Sequence, residues 1–399
     1  MRSRYTLYFV SLFAFGVLLS PYGRYDALSL VWLVGLLAGI TAIFWDLPIV
    51  RSAGLGLICV ASGYIYPYLV HRDHLIELPS SFGALIDVFM QSRARFVMAL
   101  QNILTEPHAS LASGFVLGTG AGFPRDLKQA FINTGTIHLV AVSGFNVTIV
   151  IKLFSDMLRP LGRWVSFITG TLAIVAFIIL VGGQASVVRA GIMGWLFIVA
   201  RFAWRLPHIK NALFVTGFLM IVQEPHILVG DIGFQLSFLS MLGLIYISPL
   251  IGWAFSLSKH ISVVPKVILD VLRETLSAQI AVALLVAGYF GRLSLIAIIP
   301  NVLIVPLIAP IMIICIVVGL LALLLPAYTI LVALPLQGIL WIILKIILVS
   351  NSIPFASVSF SNVPWVFVGI GYCCLISVII WLHKKKHIFD HLTSPIESI

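Results

Sequence analysis

SLIAIIPNVLIVPLIAPIMIICIVVGLLALLL, residues 294–325, runs for 32 residues without a charged side chain. A helix crosses the hydrocarbon layer of a bilayer in about 20 apolar residues. The stretch is therefore a membrane segment with length to spare. Pro300, Pro306 and Pro310 lie within it, and each removes an amide donor and disfavours a helix interior. The expectation is a Pro-broken or re-entrant arrangement. Outward from this stretch, further apolar runs lie at 276–290, 328–350 and 363–382. Upstream, such runs recur at 138–155, 163–182, 187–205, 210–228 and 233–252, and three more, 6–20, 27–45 and 52–70, open the chain. The pattern predicts an all-α integral membrane protein, a helical bundle of about eleven spans, give or take two, with amphipathic or re-entrant helices.

Composition agrees. The 399 residues are 61% hydrophobic and 10% charged, against about 25% charged in a soluble domain. Lys and Arg exceed Asp and Glu by 24 to 14, for a formal charge of +10. The excess fits the positive-inside rule and attraction to anionic lipid, and it equally fits an anionic substrate. Cys59, Cys315, Cys373 and Cys374 each sit in an apolar run without metal-ligand spacing, which makes them packing residues.

Arg2 and Arg4 before the first run put the N-terminus in the cytoplasm, and Lys384, Lys385 and Lys386 put the C-terminus there too. The first run is expected to be retained, since no small-residue cleavage site follows it. The expected division is an N-terminal set of transmembrane helices over 1–70, an extracytoplasmic or interfacial amphipathic segment over 71–112, a membrane channel body over 113–350, and a last helix with a basic cytoplasmic tail over 351–399. Residues 259–275, with Lys259, Lys266, Asp270, Arg273 and Glu274, read as an amphipathic helix lying flat.

The segment 136–146, TIHLVAVSGFN, carries His138, Ser143, Gly144 and Asn146 at membrane depth, where polar groups need a partner or water. On one helix His138 and Asn146 lie near the same face, giving a polar stripe. It either lines a pore or makes hydrogen bonds between helices. Nucleophilic catalysis is not expected: Ser143 is more than a turn beyond His138, with no Gly-x-Ser-x-Gly elbow or orienting carboxylate. Arg125 and Lys128, after Pro124, suit either the mouth of a path for an anion or snorkelling at headgroup level. Arg189, at the edge of a span, either snorkels or joins a polar cluster with Asp231 and Gln235, which are four apart on one helix face. Gln279, Arg292 and Asn301 add polar groups to apolar helices. No P-loop is present, and His71 and His74 lack the further ligands of a metal site. No cofactor or metal is expected.

Taken in order, these blocks resemble the competence domain of the ComEC family. The residues that carry the likeness are Leu117-Gly118, Phe123-Pro124, Thr134-Gly135 and His138 to Gly144, then Ser186 to Ala190, Glu224-Pro225 with Asp231 to Phe238, and Ser277 to Gln279 with Tyr289 to Arg292 and Pro300-Asn301. The resemblance implies passage of single-stranded DNA across a bacterial inner (cytoplasmic) membrane in natural competence. It implies as partners membrane lipid, a cytoplasmic helicase-like ATPase, an extracytoplasmic DNA receptor and a separate nuclease. Three departures stand out: Asn146 where many members have His, no stretch suited to a small OB-like domain, and no His-x-His-x-Asp-His nuclease motif. The expected protein is a non-enzymatic channel without nuclease or ATPase of its own. Arg125 and Lys128 would lie at the entrance and His138, Ser143, Gly144 and Asn146 on the path or gate, with Arg189, Asp231, Gln235, Gln279, Arg292 and Asn301 structuring it. A secondary transporter of a small anionic solute is the rival, because a midplane site would use the same polar groups.

Overall fold

The computed structural model describes residues 12–17, 59–60, 80–118, 122–140, 144–206, 208–256, 264–325, 329–360 and 363–393. The described chain is overwhelmingly helical. In hydrocarbon each backbone amide must find its partner inside the protein, and a helix satisfies its amides within one segment. In chain order the helices are α1 (Ser80–Ile103), α2 (His108–Leu117), α3 (Arg125–Asn133), α4 (Ile137–Val140), α5 (Gly144–Met157), α6 (Arg163–Val181), α7 (Ala185–Phe202) and α8 (Ile209–Gln223). They continue with α9 (Ile227–Gly230), α10 (Ile232–Tyr246), α11 (Ser248–Ser256), α12 (Lys266–Phe290), α13 (Ile298–Leu324), α14 (Thr329–Asn351) and α15 (Trp365–Thr393). Two short strands, β1 (Arg292–Ser294) and β2 (Ser357–Ser359), form an antiparallel ribbon.

Among the described residues seven helical segments are long and apolar enough to cross a membrane: α6, α7, α10 with α11, and α12 to α15. This makes a multi-pass membrane protein, with fewer spans in view than the eleven or so expected. The opening runs 6–20, 27–45 and 52–70 fall outside the described residues, apart from 12–17 and 59–60. Residues 141–143 of the run 138–155 fall outside the described residues as well, and α8 has only 15 residues. The boundary expected at 112 passes through α2, whose residues from Ala109 to Leu117 are all buried.

Two expectations are corrected. The run 294–325 is not broken at its prolines: α13 continues through Pro306 and Pro310. Both prolines lie on its exposed side, which leaves the packed row of Ile304, Ile308, Ile311, Met312 and Cys315 uninterrupted. A break there would leave unpaired backbone groups facing lipid, a larger cost than the missing donors. Likewise, the charged segment expected to lie flat joins the following apolar run as one helix, α12, from Lys266 to Phe290. Asp270 and Arg273, one turn apart, pair at 3.1 Å, which supports helix through the charged turns.

The described residues group into two compact units. The first takes in 150–179 and 183–235 together with the chain before 89. There α7 packs on α8, and its glycines let neighbours approach. A Cβ at Gly191 would lie 2.6 Å from Ile178 Cδ1 of α6, and one at Gly194 would collide with Ile151 of α5.

The second unit takes in 89–149, 180–182 and the chain from 236 onward. Its centre is α13, packed on α12, α14 and α2, with α11 and α15 against α12 and α3 against α14. Ile304, Ile311, Met312, Leu336, Leu340 and Ile343 are fully buried. Lipid tails are as apolar as these side chains, so excluding water contributes little, and close packing has to hold the helices together. Small residues make this possible. Gly319 of α13 faces the Phe96 ring of α1, and Gly243 of α10 lies against α12. The β1–β2 ribbon pairs Arg292 with Ser359, Leu293 with Val358 and Ser294 with Ser357, joining the α12–α13 and α14–α15 connections at one end of the unit.

A Cβ at Gly243 would stand 2.5 Å from the Ser277 carbonyl oxygen and 2.7 Å from Ala281 Cβ. Gly243→Ala should therefore destabilise by about 1–3 kcal/mol, read as a lower midpoint of thermal unfolding in detergent. Gly338→Ala, where nothing lies within 4 Å, should leave the midpoint unchanged or slightly raised, in line with the better helix propensity of Ala.

Candidate functional site

The α3 helix builds one side of a polar site in the second unit. Pro124, extended at φ −52° and ψ 145°, leads into it. Leu127, Ala130 and Phe131 are buried, while Arg125, Asp126, Lys128 and Gln129 are exposed. Arg125, Gln129 and Asn133 follow one another at four-residue intervals and share a face. The helix closes where the Thr134 hydroxyl donates to the Ala130 carbonyl at 2.8 Å, with the Thr136 hydroxyl 2.8 Å from that of Thr134. Gly135 then turns the chain at φ +67°, and a Cβ there would meet Ala297 Cβ at 2.8 Å and Ser294 Cβ at 3.0 Å. A side chain at 135 would thus drive the α3–α4 turn away from the ribbon.

The ribbon brings the other side. Gly291 ends α12 at φ +59°, and its carbonyl accepts from the Phe360 amide at 2.7 Å. Arg292 follows, exposed, and its Nη1 donates to Asn133 Oδ1 at 3.4 Å. The same Oδ1 accepts from Gln129 Nε2 at 2.8 Å, and Asn133 Nδ2 donates to Asn351 Oδ1 at the end of α14 at 3.0 Å. Behind Arg292, Gln279 Nε2 of α12 donates to the Ser294 carbonyl at 3.1 Å. Of the residues singled out from sequence, Arg125, Lys128, Arg292 and Gln279 thus belong to connected segments. Gln129, Asn133 and Asn351 were missed. The four-residue spacing of Gln129 and Asn133 was a legible signal; Asn351, 218 residues from Asn133, offered none.

The remaining expected residues fall elsewhere. His138 is exposed on α4, and Gly144 opens α5. Asn146 is 1% exposed, and its Nδ2 donates to the Phe115 carbonyl of α2 at 2.9 Å. Ser143 lies outside the described residues. The polar stripe expected along one helix runs through residues 141–143, which lie outside the described residues. Asn301 is 4% exposed on α13, on the face that carries Ala297 and Ile304.

In the first unit Arg189 is 7% exposed and its Nη1 lies 3.6 Å from Met193 Sδ. Asp231 does not pair with it. Its Oδ1 accepts the Phe234 amide at 2.7 Å and so caps the start of α10. Gln235, expected to share a face with Asp231, turns back instead, its Nε2 donating to the carbonyls of Leu228 at 2.8 Å and Val229 at 3.1 Å. Both therefore secure the α9–α10 junction. Among the described residues no group of three or more His, Cys, Asp or Glu side chains comes together to hold a metal ion.

Gly135→Ala should cost about 1–2 kcal/mol from the left-handed backbone, plus the contact with Ala297. Faster hydrogen exchange of the α3 amides, with α6 and α7 unchanged, is the expected readout.

Residues 93–385, about three quarters of the chain, match the family described as Competence protein. A stretch of 143 residues is 29% identical to an uncharacterised protein of Aquifex aeolicus (strain VF5), covering 36% of this chain and 34% of that protein. The chain thus aligns with about a third of that relative's length. No solved structure matches. The extent of the family match decides the matter: this multi-pass membrane protein belongs to the competence protein family.

Proposed function

We propose that the protein is a conduit passing one DNA strand through the cytoplasmic membrane. The observation that carries this reading is a pair of buried amide oxygens. Gln279 Oε1 and Asn301 Oδ1, on two membrane-length helices of the second unit, have no hydrogen-bond partner among the described residues. An unmade hydrogen bond costs a buried amide about 1–3 kcal/mol. Membrane helices keep such groups where the interior admits water or a polar solute.

Charge supports the direction of travel. With the basic end of α15, Lys384 to Lys386, on the cytoplasmic side by the positive-inside rule, the opposite end of α15 and the ribbon face outward. Arg125, Lys128 and Arg292 then meet the incoming polyanion, and His138 belongs to the path. Asn146 holds the start of α5 to α2, while Arg189, Asp231 and Gln235 keep the first unit in shape. The role calls for an extracytoplasmic DNA receptor, a cytoplasmic helicase-like ATPase to pull the strand and a nuclease for the second strand. The chain itself acts without catalysis.

The test is uptake of labelled DNA by a cell lacking the gene, complemented with wild type or with Asn301→Leu. Internalised strand should be lost on deletion with surface-bound DNA unchanged. Wild type should restore it, and Asn301→Leu, though stably inserted, should restore it only weakly. Undiminished uptake on deletion would overturn the reading and leave a small anionic solute as cargo.

A further inference from the structure

We propose that α3 and the β1–β2 ribbon form a docking site for the phosphodiester backbone of a nucleic-acid single strand, with Asn133 as the positioning residue. The choice of ligand rests on the conduit reading above; the site rests on its own geometry. Arg125 and Lys128 project from the exposed face of α3, and Arg292 reaches the end of that helix from β1. Eight residues of helix separate Arg125 from Asn133, about 12 Å. The cations therefore form a row rather than a point. Asp126 is the acidic group on the same face, so three positive charges meet one negative. Among the described residues no carboxylate forms an ion pair with Arg125, Lys128 or Arg292.

Arg292 has one tether, a long bond at 3.4 Å to Asn133. Asn133 Oδ1 faces two donors, Gln129 Nε2 and Arg292 Nη1, while Asn133 Nδ2 donates to Asn351. This arrangement sets the orientation of the Asn133 amide, because an oxygen must face donors and an NH2 group an acceptor. The guanidinium spends one of its five N–H groups on the tether. The rest keep the planar fork that suits phosphate oxygens. Ordering the side chain before the ligand arrives lowers the entropy lost on binding.

A lipid headgroup offers the same phosphodiester chemistry, but its acyl chains need apolar footing beside the cations. Along α3, from Arg125 to Asn133, no large apolar side chain is exposed, since Leu127 and Phe131 turn inward; the exposed Ile137, Phe290, Leu295 and Phe360 lie at the ends of the site, and the vesicle arm of the experiment tests them. The amides of Gln129 and Asn133 lie between the cations instead, and a hydrated backbone fits such a surface.

The experiment measures binding of a fluorescent, mixed-sequence single-stranded oligonucleotide to the full chain in nanodiscs, over a series of salt concentrations. Arg292→Ala should weaken binding and flatten the slope of log K against log salt by about 0.7, one phosphate contact. Arg292→Lys should keep the slope and recover part of the affinity. Asn133→Ala should lower affinity several-fold at unchanged slope, because it removes the tether and not the charge, with a slightly lower thermal midpoint from the lost bond to Asn351. Wild-type affinity and slope in Arg292→Ala, or no oligonucleotide binding by the wild type, would overturn the site even if deletion abolishes DNA uptake. So would a defect confined to binding of phosphatidylglycerol vesicles. Conversely, oligonucleotide binding that responds as described, in a chain whose deletion leaves uptake intact, would keep the site and remove the conduit.

Discussion

A backbone amide in hydrocarbon has to be paired by the protein itself, and the architecture follows from that demand. It accounts for the near absence of strand among the described residues and for the continuity of α13 across two prolines. It also accounts for where non-helical structure is tolerated. The β1–β2 ribbon lies at the end of the second unit, where the α12–α13 and α14–α15 connections pair with one another. A two-stranded ribbon is weak alone. Here it is bracketed by Gly291, which closes α12, and by Gly135, whose lack of a side chain lets the α3–α4 turn abut it.

Once helices are obligatory, their association becomes the difficulty, because lipid competes with every apolar side chain on equal terms. The structure answers with close approach. Gly191 and Gly194 in the first unit, and Gly243 and Gly319 in the second, bring neighbours to distances a Cβ would forbid. Hydrogen bonds between helices add direction to packing that is otherwise non-specific. The Asn146 to Phe115 bond is one, and that from the Tyr372 hydroxyl to the Ala281 carbonyl at 3.0 Å is another. A third joins His383 Nε2 to the Tyr246 carbonyl at 2.9 Å, at the break between α10 and α11. Since a carbonyl only accepts, Nε2 carries the proton there.

Function then depends on the polar groups that this scheme leaves over. Asn146 and Asp231 are absorbed by the scaffold, one bonding to a neighbouring helix and the other capping its own. Gln279 and Asn301 keep amide oxygens without partners among the described residues, and Arg125, Lys128 and Arg292 stay exposed. Two kinds of polar residue that look alike in a hydrophobic sequence are thereby separated.

By itself, the sequence determined the solvent, the helical class and the identity of the cations near a polar end. Each of these is written in local composition: 32 uncharged residues cannot be a soluble loop, and Arg125 and Lys128 stand beside a helix-starting proline. The order of short blocks also carried the family likeness. Tertiary structure alone decided the pairings. Asn133 and Asn351 are 218 positions apart, and no spacing rule connects them. Asp231 and Gln235 obey the four-residue rule, yet they act on opposite sides of a helix start. Even the fate of Pro306 and Pro310 was a tertiary question, because a proline's cost is local while the cost of breaking a helix depends on what surrounds the break.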